Sequence, residues 1–185
     1  MKLHCNPYML EEGYFLNCAD PGGATGMSLF HVKPKSFQLV TYETVKYDPH
    51  GSGSMPTSVL IEWKLTYPGV HHLLYEDFHA RNNDSAKDLT ALRVIGSIDQ
   101  MIHERKLYEE IFQQEPVAAK FMVTDDVLEK LDLHMGNQHS QRHVRDANRH
   151  FVSHMSKLRY RPICEAAYPR GGGVTNPRIR PGSRP

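Results

Sequence analysis

Cysteine is scarce and scattered. Cys5, Cys18 and Cys164 are the only three in 185 residues, and they lie far apart. An odd, unpaired set with no CxxC argues against a disulfide framework and against a Cys-based zinc site. It suits a reducing, cytoplasmic setting. Long apolar runs are missing too: no stretch approaches the roughly 20 residues that cross a bilayer, and no apolar core of a secretory signal follows Lys2. Nor is there an excess of one charge sign. Lys and Arg total 22 against 21 Asp and Glu, so no global field draws a polyanion, and any basic surface must be local. No internal repeat is visible. A chain that is 39% hydrophobic and 23% charged reads as one soluble domain with appendages.

What the chain does contain is organised around Gly13 to Val32, GYFLNCADPGGATGMSLFHV. Tyr14, Phe15, Leu16 and Cys18 form an apolar run of strand length, closed by Asp20. Pro21, Gly22 and Gly23 supply turn chemistry, because Pro presets φ and Gly accepts φ > 0. Met27 to Val32 returns as a second strand. Phe37 to Val45 alternates and is rich in β-branched and aromatic residues, a third strand. These three predict an antiparallel meander. The Gly, Ser and Pro content of residues 47–58 predicts a loop, with Thr57 or Ser58 capping a short helix over Val59 to Leu65.

His71 to Phe78 predicts a fourth strand ending in two acids. From Ala86 to Glu104, behind a cap at Asp84 or Ser85, Ala91, Val94, Ile95, Ile98, Met101 and Ile102 make one helical stripe. Leu107 to Phe112 predicts a fifth strand stopped by Pro116, and Asp125 to Leu133 a short helix. The last helix, about Ser140 to Leu158, buries Val144, Ala147, Phe151, Met155 and Leu158. His143, Asp146, His150 and His154 run along one border of that stripe. Arg142, Arg145 and Arg149 point away from it. The organisation expected is a lead-in over 1–12, a domain over 13–159, and a Gly/Pro/Arg-rich flexible tail over 160–185. That tail holds Arg161, Arg170, Arg178, Arg180 and Arg184 against Glu165 alone.

This order of elements predicts an α/β fold with a mixed sheet. A helical crossover makes the fourth strand parallel to the first, so their C-terminal ends, Asp20 and Glu76, lie side by side. Asp146 sits on a helix able to pack there, with His143 one turn earlier on the same side. Taken singly, each acid reads as a turn or cap residue. Taken together, clustered carboxylates repel unless a hard cation neutralises them, and Mg²⁺ or Mn²⁺ suits oxygen ligands. Asp77 adjoins Glu76 but points to the opposite face of a strand. The i, i+4 histidine pairs 139/143 and 150/154 have zinc-binding spacing but no obvious third ligand.

The residues also resemble a family. Asp20-Pro21-Gly22 with Thr25-Gly26 is similar to the first motif of RuvC-type Holliday junction resolvases, of the ribonuclease H-like nuclease superfamily. Leu74-Tyr75-Glu76-Asp77-Phe78, then Asn82-Asn83-Asp84-Ser85-Ala86, resembles the second. Pro116 to Lys120 resembles the third, and His143-x-x-Asp146-Ala147 the fourth. The resemblance runs from Tyr14 to Leu158. It implies a ribonuclease H-like five-stranded mixed sheet flanked by helices. It also implies a catalytic and metal-binding set of Asp20, Glu76, His143 and Asp146 holding two Mg²⁺ ions. A homodimer that cuts branched DNA, four-way junctions above all, is implied with it. Lys120 is the candidate assisting lysine, and Lys120, Arg142, Arg145 and Arg149 are candidate DNA contacts. The Gly-rich stretch with a functional Lys that precedes the family's last motif has no match here. Compact, divergent members are often phage-encoded, and this chain resembles those. Two rivals stand beside this reading. One is a nuclease of the same fold acting on flap DNA or an RNA–DNA hybrid. The other is a DNA-binding protein that has lost cleavage, against which the retained acids argue.

Overall fold

The structure, a computed structural model, describes residues 12–48, 55–77, 89–136 and 138–169. Phe78, the segment Asn82 to Ala86 with its candidate caps, and the arginines from Arg170 onward lie outside the described residues. The strands are β1 (Tyr14–Asp20), β2 (Ala24–Lys33), β3 (Ser36–Lys46), β4 (His71–Glu76) and β5 (Glu110–Gln114). The helices are α1 (Pro56–Thr66), α2 (Thr90–Arg105), α3 (Pro116–Met122), α4 (Asp125–Lys130), α5 (His139–Lys157) and α6 (Arg161–Ala167). The strands form one sheet in the order β3-β2-β1-β4-β5. β1, β2 and β3 pair antiparallel, and β1, β4 and β5 pair parallel. This is the expected mixed α/β sheet, with the meander and the parallel crossover both present.

The period-2 alternation of strands divides the core into two layers. From β1, Tyr14, Leu16 and Cys18 face α5, where they meet Ala147, Phe151, Val152 and Met155. From the opposite face, Ala19 joins Leu73 and Tyr75 of β4 against Leu60 and Trp63 of α1 and Val94 and Ile98 of α2. The same parity that turns Cys18 and Leu74 toward α5 also turns Asp20 and Glu76 toward it. In the parallel register Cys18 lies opposite Leu74 and Ala19 opposite Tyr75, so the two acids end adjacent strands at the same level.

Helix α5 lies along β2 through contacts that climb both elements in step. Gly26 abuts the His143 and Val144 backbone. Ser28 Oγ donates to Asn148 Oδ1 at 2.6 Å, and Phe30 stacks on Phe151 with ring centroids 3.6 Å apart. Asn148 Nδ2 donates in turn to the Leu133 carbonyl, so the segment before α5 is tied to the same polar contact.

Several boundaries depart from the sequence reading. α1 starts at Pro56, placed at the first helical turn where its missing N–H costs nothing, and no side chain caps it. The fifth strand is shifted: Leu107 and the buried Tyr108 pack against the α1/α2 layer from a connecting segment, and the ladder begins at Glu110. An edge strand half open to water tolerates Glu110 and Gln113, which blurs its apolar signal. α3 and α6 are further helices, each with Pro in its first turn. α6 corrects the tail boundary at residue 160. Ile163 and Ala167, one turn apart, are buried in the α5-side core together with Tyr160. Two buried apolar positions on seven residues are too few to make a visible period.

Candidate active site

Asp20 and Glu76 close their strands, and Asp146 approaches from the second turn of α5. All three are largely buried, Asp20 and Asp146 at 7% and 8% exposure. Three acids at one buried edge require compensation. Burial and then the Glu76 charge push the Asp20 carboxyl well above the usual carboxylate range; Lys120 partly offsets this, and Asp146 adds to it. Burial and the neighbouring carboxylates thus both disfavour the charged form of Asp20. Burial raises Glu76 as well, but the hydrogen bond from His150, the Lys120 charge and the Asp20 hydrogen bond outweigh it, and the group ends below its ordinary value.

Lys120 reaches this centre from α3. Its Nζ lies 3.6 Å from Asp146 Oδ2. Burial lowers its pKa, yet the charges of Asp20, Asp146 and Glu76 more than reverse that and raise it. The Lys120 ammonium thus faces all three carboxylates, and Arg149 adds a second cation at Asp146. Three crowded acids, two of them at adjacent strand ends, form an oxygen-rich donor set of the kind a hard divalent cation fits.

Among the described residues, the group of possible metal ligands whose atoms lie within 4.8 Å of one another is Asp20, Glu76 and His150. His150, not His143, completes it. His150 is fully buried, one helical turn past Asp146, and its Nε2 lies 2.7 Å from Glu76 Oε2. The sequence places His150 on the same border of α5 as Asp146, but pairs it with His154 at zinc-binding spacing rather than with the acids. Its i, i+4 spacing from Asp146 was the available signal. His143 is half-buried one turn before Asp146, at the point where the helix backbone meets Gly26. Asp77 follows the strand, and its charge is felt by Tyr75 on the opposite face.

The four candidate DNA-contacting cations share one open cavity of about 640 Å³ with Asp125 and Asp146. Arg145 and Arg149 are not on an outward solvent face as the helical wheel suggested, with side chains only 14% and 13% exposed. Arg149 bridges Asp146 and Asp125, and its Nε donates to the Val123 carbonyl. Arg145 Nε lies 3.9 Å from Asp125 Oδ1. Asp125 at the start of α4 is a residue the sequence analysis did not single out. Lys120 and Asp146 belong to both the carboxylate cluster and the cavity, so the basic surface opens directly onto the acids.

Two acids at a parallel-stranded edge face a helix that carries a third, beside a cation-lined cavity, at the carboxyl edge where open α/β sheets bind ligands. Solved structures agree on the fold. The chain is similar to Thermus thermophilus RuvC in complex with a Holliday junction substrate, with a TM-score of 0.56 and 18% identity over 80% of this chain and 97% of that one. Against a second Thermus thermophilus RuvC structure the TM-score is 0.53 at 18% identity, covering 79% and 97%. The chain therefore has a RuvC-like fold, the ribonuclease H-like arrangement that the motifs implied. No family model matches the chain, and no curated protein sequence does. No helix among the described residues is long and apolar enough to cross a membrane.

Proposed function

We propose that the chain is a structure-selective endonuclease that resolves four-way or similarly branched DNA by Mg²⁺-dependent phosphodiester hydrolysis. The observation that carries this is the buried trio of Asp20, Glu76 and Asp146 opening onto a cavity lined by Lys120, Arg142, Arg145 and Arg149. The RuvC-like fold supports it. Asp20, Glu76 and Asp146, with His143 in the first turns of the same helix, would hold two divalent ions. Ions held there would supply an activated water and charge neutralisation for the leaving 3′-oxygen, with a 5′-phosphate as product. The chain's own groups do the rest. Lys120 neutralises the carboxylates before loading, and the arginines seat the backbone phosphates beside them. The sheet edge and α5 keep the acids in register.

A four-way junction has near two-fold symmetry, so a homodimer presenting two equal sites fits paired nicks in opposing strands. The test is cleavage of labelled four-way junction, duplex, flap and RNA–DNA hybrid, each in Mg²⁺ and in EDTA. Preferred, EDTA-sensitive junction cleavage upholds the proposal. Equal or better cleavage of flap or hybrid moves the protein to another substrate class, and full activity in excess chelator overturns the site.

A further inference from the structure

His150 sits in a closed chain of polar groups that no part of the proposed mechanism uses. It is fully buried, as is Ser153, and Gln114 is nearly so. Nε2 lies 2.7 Å from Glu76 Oε2, and Nδ1 lies 3.1 Å from the Gln114 side-chain amide. An ionised carboxylate only accepts, so Nε2 must carry the proton that joins it to Glu76. At the other end, the Lys157 ammonium only donates, so it is the Gln114 oxygen that lies 3.3 Å from Lys157 Nζ and accepts from Ser153 Oγ at 2.7 Å. The Gln114 NH₂ then donates to the His150 carbonyl at 3.2 Å and to Nδ1. Both ring nitrogens are thereby spent. Nε2 gives its proton to Glu76 and Nδ1 receives one from Gln114, leaving no lone pair for an ion.

We infer that His150, fixed by Gln114, is a positioning residue that aims the Glu76 carboxylate at the metal, rather than a metal ligand itself. This rests on the reading of Asp20, Glu76 and Asp146 as ion ligands. The physical gain is orientation. A carboxylate at a strand end has a free terminal torsion. A short N–H···O bond from a fully buried ring, whose tautomer is set from behind, removes that freedom. Partners of this kind are worth about 10- to 100-fold in metal affinity where they have been removed from ligating residues.

The experiment measures Mn²⁺ affinity by calorimetry, with no DNA present, for the parent protein, His150→Leu, His150→Gln and Gln114→Leu. His150→Leu should weaken Mn²⁺ by about 10- to 100-fold. His150→Gln, whose Nε2–H can reach the same oxygen, should recover most of that loss, and Gln114→Leu should fall between. Spin-echo modulation of bound Mn²⁺, in a His143→Asp background that removes the other candidate imidazole, should lack the strong coupling of a directly bound nitrogen. Strong nitrogen coupling, or His150→Gln no better than His150→Leu, overturns the inference. If His150→Leu does not fold, the spin-echo result decides alone. Unchanged Mn²⁺ affinity in His150→Leu, with intact junction cleavage by the parent, overturns the inference and leaves the proposed function standing. Weakened Mn²⁺ binding in a protein that cleaves no DNA does the reverse. A parent that binds no Mn²⁺ overturns both.

Discussion

Gly26 sets how closely α5 approaches the sheet, and replacing it with Ala should separate the halves of the site. A Cβ at Gly26 would lie 2.0 Å from the carbonyl carbon and oxygen of His143 and 2.5 Å from the Val144 nitrogen. These are helix backbone atoms, so no rotamer change relieves the clash. An ordinary contact begins at 3.4 Å, which requires the helix to retreat by 1.4 Å. Gly26 is the β2 partner of Asp20, and Asp146 lies one turn along α5, so the retreat draws Asp146 away from Asp20 and Glu76. A misplacement of about 1 Å can cost 100-fold in rate, so kcat/KM for junction cleavage should fall by about that factor or more. Overpacking should also cost about 1–3 kcal/mol of stability, read by urea denaturation. The two readouts must move together, with circular dichroism confirming a folded protein. A folded Gly26→Ala with wild-type cleavage at equal Mg²⁺ refutes the claim that this contact sets the geometry of the acids.

Asp20→Asn, Glu76→Gln and Asp146→Asn should each lower cleavage by several orders of magnitude while junction binding in gel-shift assays survives or tightens; Asp77→Asn should do much less, and the reverse pattern would refute the strand parity. The raised Asp20 carboxyl gives a pH signature in EDTA. The folded state holds a proton that the unfolded chain has lost, so this contribution is complete below the ordinary Asp pKa near 3.9 and disappears as pH rises through the folded value. Denaturation curves should accordingly show Asp20→Asn gaining stability over wild type as pH increases, and a difference independent of pH counts against the raised Asp20 carboxyl. Asp125 competes with DNA phosphates for Arg145 and Arg149, so Asp125→Asn should tighten junction binding about 2- to 5-fold at low salt, in line with a partly exposed ion pair; weaker binding would show that Asp125 instead holds the arginines in place. Deleting 170–185 removes four arginines and should flatten the salt dependence of binding without changing the melting temperature. A cut at 161 should unfold the domain, because it strips Ile163 and Ala167 from the core.

Much of the site was legible because it depends on strand parity and crossover handedness. Alternation in β1 and β4 and the parallel crossover put Asp20 and Glu76 side by side, and helical spacing put Asp146 and His143 on one face. What escaped depended on contacts between elements distant in sequence. The role of His150 required knowing that Gln114 of a shifted edge strand stands behind it and Glu76 in front. The environment of Arg145 and Arg149 required knowing that α4 brings Asp125 over them, which no wheel of α5 alone contains. α3 and α6 escaped because seven residues with a leading Pro make too short a period to separate from a loop.

The way α5 is pinned to the sheet also has a consequence for the order of events during synthesis. Ser28 waits for Asn148, 120 residues later, and Tyr14 for Met155, 141 residues later. The meander can pair early, but the third acid and the positioning histidine arrive only with a helix made after all five described strands. Contacts of such separation form slowly. A partly made chain therefore carries two of the acids without the third, and the carboxylate cluster is complete only when this long helix docks.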